Sequence, residues 1–186
     1  MMTTTSIIDP KYCVLNIMEL VITKEKGLGH NFIVTNMNDN ILLKVKSSLV
    51  TIVTPRRHIY LHDAYGKPLL HLQRPLLAAN ESWKAFRGES KESNDLIFIL
   101  KRSSLFQLRT KLNVFLPQNT THVCDFKVKA TFLGRSWDVY IGESDTIVAQ
   151  INKKVGTILS SEKYMVSVFP SIDYAFIVAL IVTLET

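Results

Sequence analysis

Residues Tyr174–Leu184, reading YAFIVALIVTL, constrain this chain more than any other stretch. Apart from Thr183 the run is apolar, and it holds no Gly, Pro or charge. A surface helix would show a polar face, and a half-buried strand would alternate. This run does neither, so it demands burial on every side. As a helix it reaches about 16 Å, against a bilayer core of roughly 30 Å, so it does not span a membrane. Its length favours a helix, although Ile177, Val178, Ile181 and Val182 are β-branched. Ser171 and Asp173 stand just upstream as candidate N-caps. The expected element is a helix wrapped by the rest of the protein. Tyr174, Phe176, Ile177, Val178, Leu180, Ile181 and Leu184 would be its packing residues.

The remainder of the chain reads as strands. Phe32–Thr35 and Ile41–Lys46 flank a turn rich in Asn and Asp, which predicts a hairpin. The same plan recurs in residues 58–74 around Asp63-Ala64-Tyr65-Gly66, and in residues 139–154 around Gly142–Asp145. Three such units suggest a degenerate hairpin repeat. Val14–Thr23, Ser82–Arg87, Leu96–Lys101, Leu105–Leu116 and Tyr164–Phe169 are further strand candidates. Cys124–Phe132 gives the cleanest period of two. It sets Cys124, Phe126, Val128, Ala130 and Phe132 against Asp125, Lys127, Lys129 and Thr131. Roughly ten to twelve short strands must manage their edges, and closure into a barrel does so. A barrel of that size is wider than its own side chains fill, and the apolar helix would fill it. The predicted fold is therefore mainly β: a closed antiparallel barrel of about twelve strands around a central C-terminal helix. Residues 1–8 read as a flexible leader, and 9–186 as a single domain.

The totals exclude several classes. Cys13 and Cys124 form neither a disulfide framework nor a metal set. The N-terminus lacks a basic segment followed by a long apolar one, so no signal peptide is expected, and a reduced intracellular compartment follows. The sequons at Asn80 and Asn119 are then chance matches. No Gly-x-Ser-x-Gly elbow, phosphate loop or nucleophile–base pair is present, so neither an enzyme nor a cofactor is expected. His58 and His62 are four apart on a strand, without the helix and adjacent Glu of a zinc protease, and read as solvent-facing. The formal charge of +6 permits a phosphate-bearing partner without requiring one.

Several stretches resemble the plant LURP-one-related proteins. They are Asp9-Pro10-Lys11-Tyr12-Cys13, FIVTNMNDNILLKVK, WKAFRGES, DLIFILKRSSLFQLRTKLNVFL, CDFKVKATFLGRSWDVYIGESDTIVAQINKK and FPSIDYAFIVALI. They run from residue 9 to the end in the family's order. The resemblance implies the tubby C-terminal fold, a closed barrel around a hydrophobic helix, and a kinship with phospholipid scramblases. It also implies a plant signalling or defence setting. Tubby domains bind phosphoinositides through a basic pocket. This chain does not show the tubby signature, the palmitoylated cysteine stretch or the acidic calcium segment of scramblases, so no ligand residue is carried across.

The candidate anion-binding residues are Lys44, Lys46, Lys101, Arg102, Arg109, Lys111, Lys127 and Lys129, placed on or beside the polar sides of their strands. As a stripe they would attract anionic headgroups, each contributing about 1 kcal/mol near a charged leaflet. The plainer account is a solvated outer wall. Trp83, Phe86 and Trp137 read as packing before they read as nucleic-acid platforms. The expected protein is a monomeric, non-enzymatic binding module. It is cytoplasmic or peripheral at the plasma membrane, with an anionic lipid surface or a protein as partner. The alternatives are a membrane-tethered or nucleic-acid-associated transcription regulator using the same basic face, and a protein-interaction scaffold without lipid binding.

Overall fold

A computed structural model describes residues 5–27, 30–50, 56–75, 82–102, 111–131, 135–157 and 160–185. Twelve strands appear in chain order. They are β1 Met18–Lys24, β2 Phe32–Asn36, β3 Ile41–Val50, β4 Arg56–Asp63, β5 Pro68–Pro75 and β6 Ser82–Arg87. Then come β7 Leu96–Arg102, β8 Lys111–Phe115, β9 Phe126–Ala130, β10 Ser136–Ile141, β11 Ile147–Lys154 and β12 Lys163–Val168. Each strand pairs antiparallel with its neighbours in the chain, and β1 pairs with β12 to close the barrel. Closure leaves no sheet edge exposed for pairing with other chains.

The helix α1 spans Tyr174–Leu184, and residues 175–183 are all buried. The ring of Phe176 meets Phe98 edge-on at 5.3 Å and Phe126 at 5.0 Å. Tyr174 and Leu184 lie partly buried at the two ends, and Tyr12 packs edge-on to Tyr174 at 5.4 Å. Thr183, the polar interruption, donates its hydroxyl to the Leu180 carbonyl at 2.7 Å, so the run stays apolar outward. Of the two candidate caps, Asp173 serves: its carboxylate accepts from the Phe176 N–H at 3.0 Å. The same carboxylate accepts from the N–H groups of Ile8 at 2.7 Å and Asp9 at 3.1 Å. Burial pushes the Asp173 carboxyl up, and these N–H donors oppose that rise.

Those bonds correct the expectation of a loose leader for residues 5–8. Ile8 is buried, and Thr5 donates its N–H to the Ser171 carbonyl at 2.8 Å. Residues 1–4 lie outside the described residues. Three strand bounds also move. The first strand starts at Met18 rather than Val14. The 105–116 candidate becomes β8, with residues 105–110 outside the described ones. The Cys124 strand narrows to Phe126–Ala130, with Phe132 undescribed.

The three hairpins share more than their pattern. Asn36 Oδ1 accepts from the N–H of Asn38 at 2.9 Å and of Asn40 at 3.0 Å. Asp63 Oδ1 accepts from Tyr65 at 3.0 Å and Lys67 at 2.8 Å, which is the same spacing. Each hairpin also shifts register by a bulge just before its turn: at Val34/Thr35, Leu61/His62 and Val139/Tyr140. Such bulges increase local twist, which a closing sheet requires.

Candidate anion-binding end of the barrel

Strand direction sorts the charges. Helix α1 begins at the end where β2–β3, β4–β5 and β10–β11 turn, and its Glu185 C-cap lies at the other. The turns at the helix N-terminal end carry Asp39, Asp63, Glu89, Glu92, Asp125, Glu143 and Asp145. The strand ends at the opposite pole carry Lys24, Arg56, Arg57, Arg74, Lys101, Arg102, Lys153, Lys154 and Lys163. Exceptions exist at both ends: Lys11, Lys67, Arg87 and Lys91 at the first, Glu25, Glu162 and Glu185 at the second. The barrel is nonetheless charge-polarised. The partial charges at the helix termini oppose this separation: positive beneath the acidic turns and negative beneath the basic rim.

At the basic end several cations continue the inward phase of the core. Lys24 follows Leu20 and Ile22, Arg57 precedes Ile59 and Leu61, and Arg74 follows Leu70 and Leu72. Arg102 follows Phe98 and Leu100, and Lys153 follows Ala149 and Ile151. A period of two therefore aims these cations at the barrel mouth, where the helix ends. Arg57 and Arg74 are direct cross-strand partners. The Arg74 guanidinium lies over the Trp83 ring, 5.2 Å from its centroid. Lys153 Nζ reaches Glu185 at 2.9 Å and Glu162 at 3.5 Å, and Lys24 Nζ reaches Glu162 at 3.7 Å. Burial pushes the Glu185 carboxyl up, but the Tyr164 hydroxyl, Lys153 and Lys24 outweigh it and hold it below the usual carboxylate range. Burial, then Lys24 and Arg57, push the His30 imidazole down, so His30 sits in the same positive field.

The residues expected from the sequence to form one stripe separate into distinct regions. Lys44 and Lys46 lie on β3, whereas Lys127 and Lys129 lie on β9, half a turn of the barrel away. No single headgroup spans that distance. Lys127 is not a free outer-wall cation: it is 3% exposed and its Nζ binds Glu143 at 3.1 Å. Lys129 lies over the Tyr140 ring at 5.0 Å. Lys101 is exposed on the outer wall near the basic rim and lies over Phe115 at 5.1 Å, while Arg102 takes the opposite, inward phase. Lys111 contributes backbone to β8 opposite Lys129, and Arg109 lies outside the described residues. The mouth cations Lys24, Arg57 and Arg74 were missed as site residues. Their signal is present in the sequence: a charge in phase with the core at the same end of several strands.

The histidine expectation also needs correction. His58, expected to face solvent with His62, is buried at 6% exposure beside His71 at 0%, and His62 is half-buried. The Ser90 carbonyl, in the segment 88–95, meets His71 Nδ1 at 3.1 Å, and no local pattern announces that contact. Cys124 is buried, and burial followed by Glu143 pushes its thiol up, which suits packing rather than reactivity. Among the described residues there is no His, Cys, Asp and Glu group able to hold a metal, and no helix long and apolar enough to cross a membrane.

Comparison with known proteins fits this geometry. Residues 18–185 match the LURP-one-related family model. Protein LURP-one-related 15 of Arabidopsis thaliana is 39% identical over 96% of this chain and 84% of its own length. Protein LURP-one-related 10 of the same plant is 40% identical over 97% of this chain and 95% of its own length. An X-ray structure of an Arabidopsis thaliana protein superposes with a TM-score of 0.73 at 38% identity, covering 96% of both chains. The chain belongs to the LURP-one-related family.

Proposed function

We propose that this protein is a non-enzymatic module that docks its basic end on the anionic headgroups of a phospholipid surface. The observation that carries this reading is the set of inward-phase arginines, Arg57, Arg74 and Arg102, gathered with the ion-paired Lys24 and Lys153 at one mouth of a charge-polarised barrel. Phosphate oxygens accept well from guanidinium forks, which present several donors in one plane. The acidic turns at the far pole would orient the molecule, because an anionic leaflet repels them. Attraction of this kind is peripheral and reversible, and weakens with salt.

Vesicle co-sedimentation near physiological salt tests it. Phosphoinositide vesicles are compared with phosphatidylserine vesicles of equal surface charge, and duplex DNA serves as competitor. Preference for the phosphoinositide supports a shaped headgroup site, and equal binding supports charge alone. Binding to neither refutes the lipid reading. Preference for DNA, with a steep salt slope, moves the same basic end to nucleic acid.

A second reading has its own observation. Leu15 at 89% exposure, with Ile17 and Met37, lines an open groove of about 510 Å³ at the acidic end. A protein-interaction scaffold would use that end, and truncating Leu15 and Met37 to Ser would then leave lipid binding intact.

A further inference from the structure

The outer wall of β4 and β5 carries two histidines that no anion-binding role uses. His58 Nδ1 and His71 Nε2 are 2.8 Å apart. The ring planes differ by 13° with centroids 5.1 Å apart, so the contact runs along the line between the rings. Tyr60 stacks on His71 at 4.6 Å and 6°. The other ring nitrogen, His71 Nδ1, faces the Ser90 carbonyl at 3.1 Å. Ser90 belongs to the segment between β6 and β7, which meets the pair at His71. That segment holds its shape through Gly88 N–H to the Leu69 carbonyl at 2.9 Å and Ser90 Oγ to Asp95 at 2.6 Å.

These contacts fix the protons. A carbonyl oxygen only accepts, so His71 Nδ1 carries a hydrogen and donates to Ser90. Neutral His71 then has a bare Nε2, which accepts from His58 Nδ1–H. One added proton is tolerated at His58 Nε2. A second, on His71 Nε2, would set two N–H donors head to head at the 2.8 Å contact. The two rings therefore titrate as a pair.

We propose that the His58–His71 pair is a proton-operated latch: with the pair neutral or singly protonated it holds residues 88–95 closed on the barrel wall, and double protonation releases them. The neighbouring groups favour the neutral state. Arg56 on β4 and Lys91 in the segment are positive. Lys46 on β3 stands across from Tyr60, and Lys84 on β6 across from Gln73, while Glu89 supplies the opposing charge. Burial first pushes both imidazoles down; His71, Lys91 and Arg56 add to this at His58, while at His71 the Ser90 carbonyl and Glu89 pull the other way against Lys91. A depressed value in the closed state means closure is fully favoured above the ordinary 6.5 and loses advantage as pH falls below it. Each ring contributes up to about tenfold per pH unit until its closed-state value is reached. Release would uncover the Tyr60–His71–Phe86 face, now bearing two positive charges. The latch stands independently of the lipid reading.

Hydrogen exchange at about pH 5 and about pH 7.5, corrected for intrinsic rates, tests it. The amides of Gly88, Ser90 and Asp95 should lose about tenfold or more of protection at the lower pH, while core-strand amides keep theirs. In His58→Phe that loss should shrink below about threefold. Unchanged protection in the wild type, an equal loss in His58→Phe, or a loss shared by the whole barrel would overturn the latch. Should His58→Phe not fold, NMR titration of the wild type decides. A Ser90 amide midpoint that coincides with the lower of the pair's two titration steps upholds the latch, and one that follows the upper step or neither refutes it.

Discussion

Truncating Phe176 to Ala tests whether the barrel is built on its helix. The ring is fully buried, with Phe98 and Phe126 at 5.3 and 5.0 Å. Removing a buried side chain of this size from water-free packing costs about 1.5–3 kcal/mol. Each aromatic partner adds about 0.5–1.5 kcal/mol. The sum, roughly 2.5–6 kcal/mol, brackets the usual cost of about 3–5 for Phe→Ala in a core. We take about 4 kcal/mol. With a urea slope of about 2 kcal/mol/M, the unfolding midpoint should fall by about 2 M at unchanged slope. Equilibrium unfolding followed by Trp83 and Trp137 fluorescence reads this directly. Tyr65→Ala is the control, since Tyr65 is 98% exposed and should cost under about 0.5 kcal/mol. A Phe176→Ala midpoint within about 0.5 M of wild type would show that the helix is not the packing centre.

Two more outcomes follow from the same contacts. The Glu185 carboxyl is depressed in the fold, so its contribution is fully present above the ordinary 4.5 and is lost as pH falls through its lower folded value. Glu185→Gln should cost about 1–2 kcal/mol at neutral pH and flatten the acid limb of a stability–pH curve; an unchanged acid limb would contradict the mouth electrostatics. A Cβ at Gly156 would meet the Ser160 carbonyl and approach the Glu162 nitrogen to 2.9 Å. Gly156→Ala should therefore destabilise by about 1–3 kcal/mol in thermal unfolding, and a neutral result would refute the close approach.

The helix was legible to the residue because its apolar run has no competing polar face, and because Asp173 stands one position before it. The hairpins were legible from their turns, since Asn36 and Asp63 advertise the bonds they make. Val14–Ile17 misled because apolar residues in an exposed connection look like strand: Leu15 and Ile17 lie open at the acidic end. The candidate site was only half legible. Alternation marked Lys127 as outward, but could not show that Glu143 folds over to pair with it. Arg57 and Arg74 went unread because inward phase normally means apolar. At the end of a strand that phase points past the core into the mouth, and the pairing of β4 with β5 brings them together. The contact of the Ser90 carbonyl with His71 arises between β5 and the β6–β7 connection, and no local pattern announces it.

The measurement that tests the central claim most directly compares two variants of equal charge change at opposite ends. Arg57→Ser/Arg102→Ser removes two mouth cations, and Lys11→Ser/Lys67→Ser removes two from the acidic end. Affinity for anionic vesicles is then titrated for both. At about 1 kcal/mol per cation near the surface, the mouth variant should bind about 30-fold more weakly, and the other should stay within about threefold of wild type. Equal losses would mean that net charge, not the basic mouth, does the binding.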